Sequence, residues 1–161
     1  MAVVGSGLIL VAAQAAGTEN GTRGSLCEWY IPQSKDLSQP VPTVTRVPGK
    51  LTDLARCPAS TSIASHYYVW SQADGSIYHK RAGTSQVAQI ASFNEPLRSV
   101  TWLDPSRILA GGDSRLFLCH ETESSFNKTQ SVFEYQEITV SEAGVIHDLA
   151  TTGNGRKVAA A

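Results

Sequence analysis

Four histidines and three cysteines hold most of the chemical potential of this chain, and their spacing decides what they could do. His147 lies in Ile146-His147-Asp148-Leu149-Ala150, a segment whose counterparts elsewhere hold Thr52 and Arg98 at the same slot. A slot that varies in this way reads as solvent-facing rather than as a general base. His120 and Glu121 follow the strand-like run Leu116-Phe117-Leu118-Cys119 and open a polar loop, so they read as a hairpin end. Neither pairs recognisably with a Ser or Cys nucleophile, so no catalytic residue and no enzyme activity is expected. Cys27, Cys57 and Cys119 are odd in number and widely spaced, without the clustering that holds zinc, so no metal is expected. They read as buried thiols in a reducing compartment. Gly153-Asn154-Gly155-Arg156-Lys157 could suggest a phosphate-cradling loop, but such a loop needs Ser or Thr after its Lys and then a helix. Here Val158-Ala159-Ala160 follows, and Asn-Gly supplies a hairpin turn instead. Trp29, Trp70 and Trp102 lie on different strands without an interleaved basic stripe, which favours burial over stacking on bases. No cofactor is expected.

Charge excludes further classes. Charged residues make up 17% of the 161-residue chain, and the net charge is −1 with no block of like sign. That leaves no electrostatic footprint for nucleic acid or an anionic membrane. No window approaches the roughly 20 apolar residues of a membrane-spanning helix. Met1 to Gly17 has an apolar centre and the tripeptide Ala13-Gln14-Ala15, and two sequons follow at Asn20 and Asn127. These features would suit a secreted β-rich glycoprotein, which is the alternative reading. A signal peptide wants a positive start, which is missing here. Gly7 to Ala13 and Gly24 to Tyr30 instead make a strand–turn–strand pair, and a cytoplasmic or nuclear location is expected.

The elements repeat. Leu97 to Leu118 reads as three short antiparallel strands: Leu97–Leu103, Arg107–Gly111 and Arg115–Cys119, with turns at Asp104-Pro105-Ser106 and Gly112-Asp113-Ser114. Leu97, Val100, Trp102, Leu116 and Leu118 are the expected core of this unit. Leu51-Thr52-Asp53-Leu54-Ala55, Leu97-Arg98-Ser99-Val100-Thr101 and Ile146-His147-Asp148-Leu149-Ala150 recur at offsets of 46 and 49 residues. A second element recurs as Gly24–Trp29, Asp74–His79 and Asp113–Leu118. A closing strand follows each time, at Thr43–Val47, Gln86–Phe93 and Ser131–Thr139. The polar stretches Ala16–Arg23 and Glu121–Gln130 expand two of the hairpins. Four strands per unit of roughly 40 to 50 residues is the rhythm of a radial all-β repeat.

These segments resemble the WD-repeat β-propeller family: VTWLDPSRILAGG, DLATTGNGRKVAA and GSLCEWY are similar to its blade segments. No Gly-His precedes the first strands, and Trp29 is followed by Tyr30 rather than Asp. Asp74 and Asp113 stand where the family's turn aspartate would be. The resemblance implies an all-β propeller of about three and a half four-stranded blades, an incomplete ring by the usual count. Its divisions are an incomplete first blade at 1–48, blades at 49–94 and 95–142, and the start of another at 143–161. It also implies a non-enzymatic scaffold or adaptor in a multi-subunit complex, with other proteins as partners, the chain completing the propeller among them. Carried onto this chain, the family's binding face would be built from Arg46, Lys50, Asp74, Glu95, Arg98 and Asp113.

Overall fold

A computed structural model describes residues 2–4, 8–16, 23–31, 43–58, 67–123, 132–139, 144–152 and 158–161. Both sequons, His66, the Gly153–Lys157 turn and most of the two polar loops lie outside these residues. The protein is all-β, with four antiparallel sheets. Among the described residues there is no helix, and no sheet closes on itself.

Each sheet is a meander of strands adjacent in sequence. The first holds β1 (Ala2–Val4), β2 (Leu8–Ala16), β3 (Arg23–Ile31) and β4 (Thr43–Val47). The apolar Leu8–Ala16 run is therefore a strand, and this unit has four strands where the sequence reading supplies three. The second sheet holds β5 (Leu51–Arg56), β6 (Tyr67–Gln72), β7 (Ser76–Arg81) and β8 (Val87–Ser92). The third holds β9 (Ser99–Asp104), β10 (Arg107–Gly111), β11 (Arg115–Glu123) and β12 (Val132–Thr139). A fourth, two-stranded sheet pairs β13 (Leu149–Thr151) with β14 (Val158–Ala160).

The sheets pack face against face through three apolar layers. Leu26, Val47, Leu51, Tyr68 and Trp70 fill the first, between the first and second sheets. Val69, Ile77 and Phe93 meet Leu97, Val100, Trp102, Ile108, Ala110, Phe117 and Cys119 in the second. Leu103, Leu109, Ile146 and Leu149 form the third. β6 contributes to two layers at once, Tyr68 and Trp70 on one side and Val69 on the other. That double burial explains its nearly continuous apolar run, as in any strand covered on both faces.

Three expectations are corrected by the structure. Ile108 lies opposite both Trp102 and Cys119, and Ala110 opposite both Val100 and Phe117. Side chains alternate along a strand, so Phe117 and Cys119 share the deep face with Val100 and Trp102. Leu116 and Leu118 point to the other side, where they are half-buried against the third layer. The expected hairpin end at His120 is also displaced, because β11 runs on to Glu123. Leu97 is fully buried but precedes β9 rather than opening it.

The asymmetry between the two faces of β11 is measurable. Phe117→Ala and Trp102→Ala should each cost roughly 3 to 5 kcal/mol in urea unfolding, and Leu118→Ala less than about 2 kcal/mol. Equal losses at Phe117 and Leu118 would show the two faces to be covered alike.

Candidate functional site

Five of the six sequence-derived residues fall at one end of the sheets, where β5 and β9 begin and β6 and β10 end. Backbone bonds knit this end together: Ala73 N–H donates to the Lys50 carbonyl at 2.9 Å, Phe93 to Gly75 at 3.0 Å, and Arg98 to Gly111 at 2.9 Å. Asp74 accepts the Ser76 amide at 3.0 Å, the local bond that lets aspartate open a turn. Gly75 follows with φ +89°, and a Cβ there would collide with the carbonyl oxygen of Phe93. Only glycine takes that conformation without strain. At Gly112 a Cβ would meet the Glu95 carboxylate, which would have to move aside.

Lys50, Asp74, Glu95, Arg98 and Asp113 are brought together at this end, but they do not form one free charged surface. Arg98 donates to Asp113 at 2.9 Å, with both side chains nearly half exposed. Glu95 is held by Arg115 at 2.8 Å and is 9% exposed, while Arg115 also reaches Glu137 at 3.2 Å. Among the described residues, Lys50 and Asp74 make no ion pair and are exposed. Arg46 stands apart, exposed on β4 opposite Ser25.

Beneath the turns lies a polar relay that the motif reading misses. Asp53 Oδ2 accepts the Ser99 hydroxyl at 2.7 Å and the Val100 amide at 2.9 Å, both from the neighbouring sheet. Its Oδ1 accepts the amide of Leu54 at 2.7 Å. Ser99 Oγ in turn accepts the Leu149 amide of the fourth sheet at 3.0 Å. Asp53, Ser99 and Asp148 are the third residues of the three recurring pentads, so the signal is present in the repeat itself. Further along the same strands, Thr151 Oγ1 donates to the Trp102 carbonyl at 3.1 Å.

The other buried charges are also structural. Lys80 donates to Glu28 across the first and second sheets, with side chains 0% and 5% exposed. Glu28 also accepts the Gly83 amide at 3.2 Å. Burial, with the Glu28 charge close by, pushes the Tyr68 phenol well above its usual range. Burial alone pushes the Cys119 thiol up to about 12, which leaves it protonated and unreactive at neutral pH. His79 stacks on Tyr67 at 5.9 Å and meets the edge of Phe133 at 5.7 Å. With rings on both sides, burial pushes its pKa down to about 4. His120, on β11, and His147, ahead of β13, are both exposed.

Two outcomes follow from these contacts. Asp53→Ala leaves the Ser99 hydroxyl and Val100 amide without their acceptor, and should cost roughly 2 to 3 kcal/mol, whereas Asp148→Ala should cost less than about 1 kcal/mol. Urea midpoints at matched slopes check the difference. His79 favours the neutral form when folded, so the unfolded chain binds the extra proton between pH 6.5 and about 4. Its stabilisation is fully present above pH 6.5 and falls away toward pH 4, by on the order of 3 kcal/mol. His79→Phe should flatten that part of the stability–pH curve, and an unchanged slope would assign it to other groups. No protein-family model and no curated protein matches this chain.

Proposed function

We propose that this chain is a propeller-type repeat protein of the WD kind that works as a non-enzymatic scaffold or adaptor between proteins, in the cytoplasm or nucleus. The observation that carries the reading is the relay from Asp53 to Ser99 to Leu149, which sets the first strands of successive sheets side by side. Nearest-neighbour stacking of four-stranded meanders through their first strands is the building rule of propellers. The outer strands β8 and β12 also approach each other, in keeping with blades fanned about a common axis. Turns fixed by hydrogen bonds and glycines then offer Lys50, Asp74, Arg98 and Asp113 on a rigid platform, a setting suited to selective recognition of a polypeptide.

Asp148 adds the partner this reading implies. It repeats the pose of Asp53, accepting the following amide at 2.8 Å, but among the described residues no neighbouring sheet donates to its second oxygen. A further β-sheet unit with a hydroxyl at the matching position would fill that role.

Lys50→Glu combined with Arg98→Glu tests the face. The exposed Arg98–Asp113 pair contributes less than about 1 kcal/mol, so the double variant should unfold as the parent does. It should retain fewer of the parent's partners in affinity capture. Capture of the same partners at unchanged strength would place the binding surface elsewhere.

A further inference from the structure

The third sheet ends on β12, whose only strand partner among the described residues is β11, so one row of its backbone donors and acceptors is left unpaired by the sheet. At eight residues β12 is longer than the outer strands β8 and β4, which have six and five. Its side chains from Glu134 to Thr139 are all exposed. It carries no Lys or Pro, and Glu134 and Glu137 are the charged side chains that guard it against indiscriminate pairing.

The surface beside this edge is ordered and chemically distinct. Tyr135 is 59% exposed yet stands edge-on to Phe93 at 5.0 Å, and Phe93 stacks on Phe117 at 3.9 Å. Phe133 is half-buried against His79 on the same side. β8 lies against this strand and adds Val87, 38% exposed, and the half-buried Ile90. Glu134 and Glu137 lie along β12, and among the described residues only Glu137 has a cation, Arg115, in an ion pair with it. Side chains alternate along a strand, so Glu134 lies on one face of β12 and Tyr135 and Glu137 on the other. A second copy of β12 would bring two more carboxylates and no cation, whereas a strand of opposite charge answers Glu134.

We propose that β12 is a strand-addition site for an extended basic segment of a partner polypeptide, with Lys or Arg beside Glu134 on one face and an apolar side chain on Tyr135 on the other, where Arg115 already answers Glu137. Backbone pairing supplies the affinity in this mode and alternate side chains the selectivity. The inference rests on the scaffold reading and names a partner chemistry for it.

The probe is a fluorescein-labelled octapeptide of alternating Lys and Val, titrated with the full chain and followed by anisotropy. Controls are the Glu-for-Lys peptide and two N-methylated versions, one modified at every Lys and one at every Val. The Lys peptide should bind, and the Glu peptide should not. One of the two N-methylated versions should lose about tenfold in affinity, as should the variants Glu134→Lys and Tyr135→Ser. Both substitutions are at exposed positions, and an unchanged thermal transition confirms that the fold is kept. Equal binding of both N-methylated peptides would reduce the effect to charge attraction and overturn strand addition. Unchanged binding by both variants would overturn the assignment to β12. A dimer in sedimentation that Glu134→Lys dissolves would give the edge to a second copy instead. No binding of the Lys peptide overturns this inference alone, since the Lys50 and Arg98 reversal tests the scaffold reading separately.

Discussion

The carboxylate of Asp53 is shared between two sheets, and much of the architecture depends on that sharing. A four-stranded meander cannot cover either of its own faces, so each sheet is stable only with a neighbour laid across it. Apolar contact alone is non-directional and would tolerate sliding of one sheet over the next. Two charge-assisted bonds from the Ser99 hydroxyl and the Val100 amide to Asp53 remove that freedom. With β5 and β9 held in place, Val69, Ile77 and Phe93 meet Val100, Trp102 and Phe117 in one layer. Ser99 passes the constraint on by accepting the amide of Leu149.

The first interface uses a different device for the same purpose. Lys80 and Glu28 are both withdrawn from water, which is costly for two charges unless each is paired and hydrogen-bonded. Here the pair is direct, and the Gly83 amide supplies a further bond to Glu28. Against the buried Tyr68 ring an unmatched charge would be expensive, so the two sheets have one favoured alignment. The interfaces are thus apolar in bulk and polar at the point that fixes their register.

Much of this is legible in the chain. Strands with β-branched or aromatic runs, Asp-Gly at residues 74 and 75, and the recurring pentads mark out the sheets, because period-two alternation and turn chemistry are local. Which face of β11 lies deeper is not legible, since Leu116 and Leu118 are as apolar as Phe117 and Cys119. Only the pairing of Ala110 with Phe117 decides it, and register is a non-local property. The Lys80–Glu28 pair joins residues 52 apart with no motif to announce it. The turn charges can be found by position, but their mutual neutralisation, Arg98 with Asp113 and Glu95 with Arg115, depends on side-chain reach. In the pentads the variable second residue draws the eye, whereas the third, Asp53, Ser99 and Asp148, lines the junctions between sheets.

The distance along the chain over which Asp53 acts also sets an order of events. Each sheet is built from strands adjacent in sequence, so its hairpins can form on the microsecond scale of local contacts. The bonds from Ser99 and Val100 to Asp53 span 46 and 47 residues, and that from Leu149 to Ser99 spans 50. Such contacts must wait until loop-closure entropy has been met, and they are correspondingly late. Since no sheet covers its own faces, docking against a neighbour is the step that turns early hairpins into a stable unit. Local opening of the native protein is then expected to run sheet by sheet, with the Asp53 junction as the step that commits two units to one another.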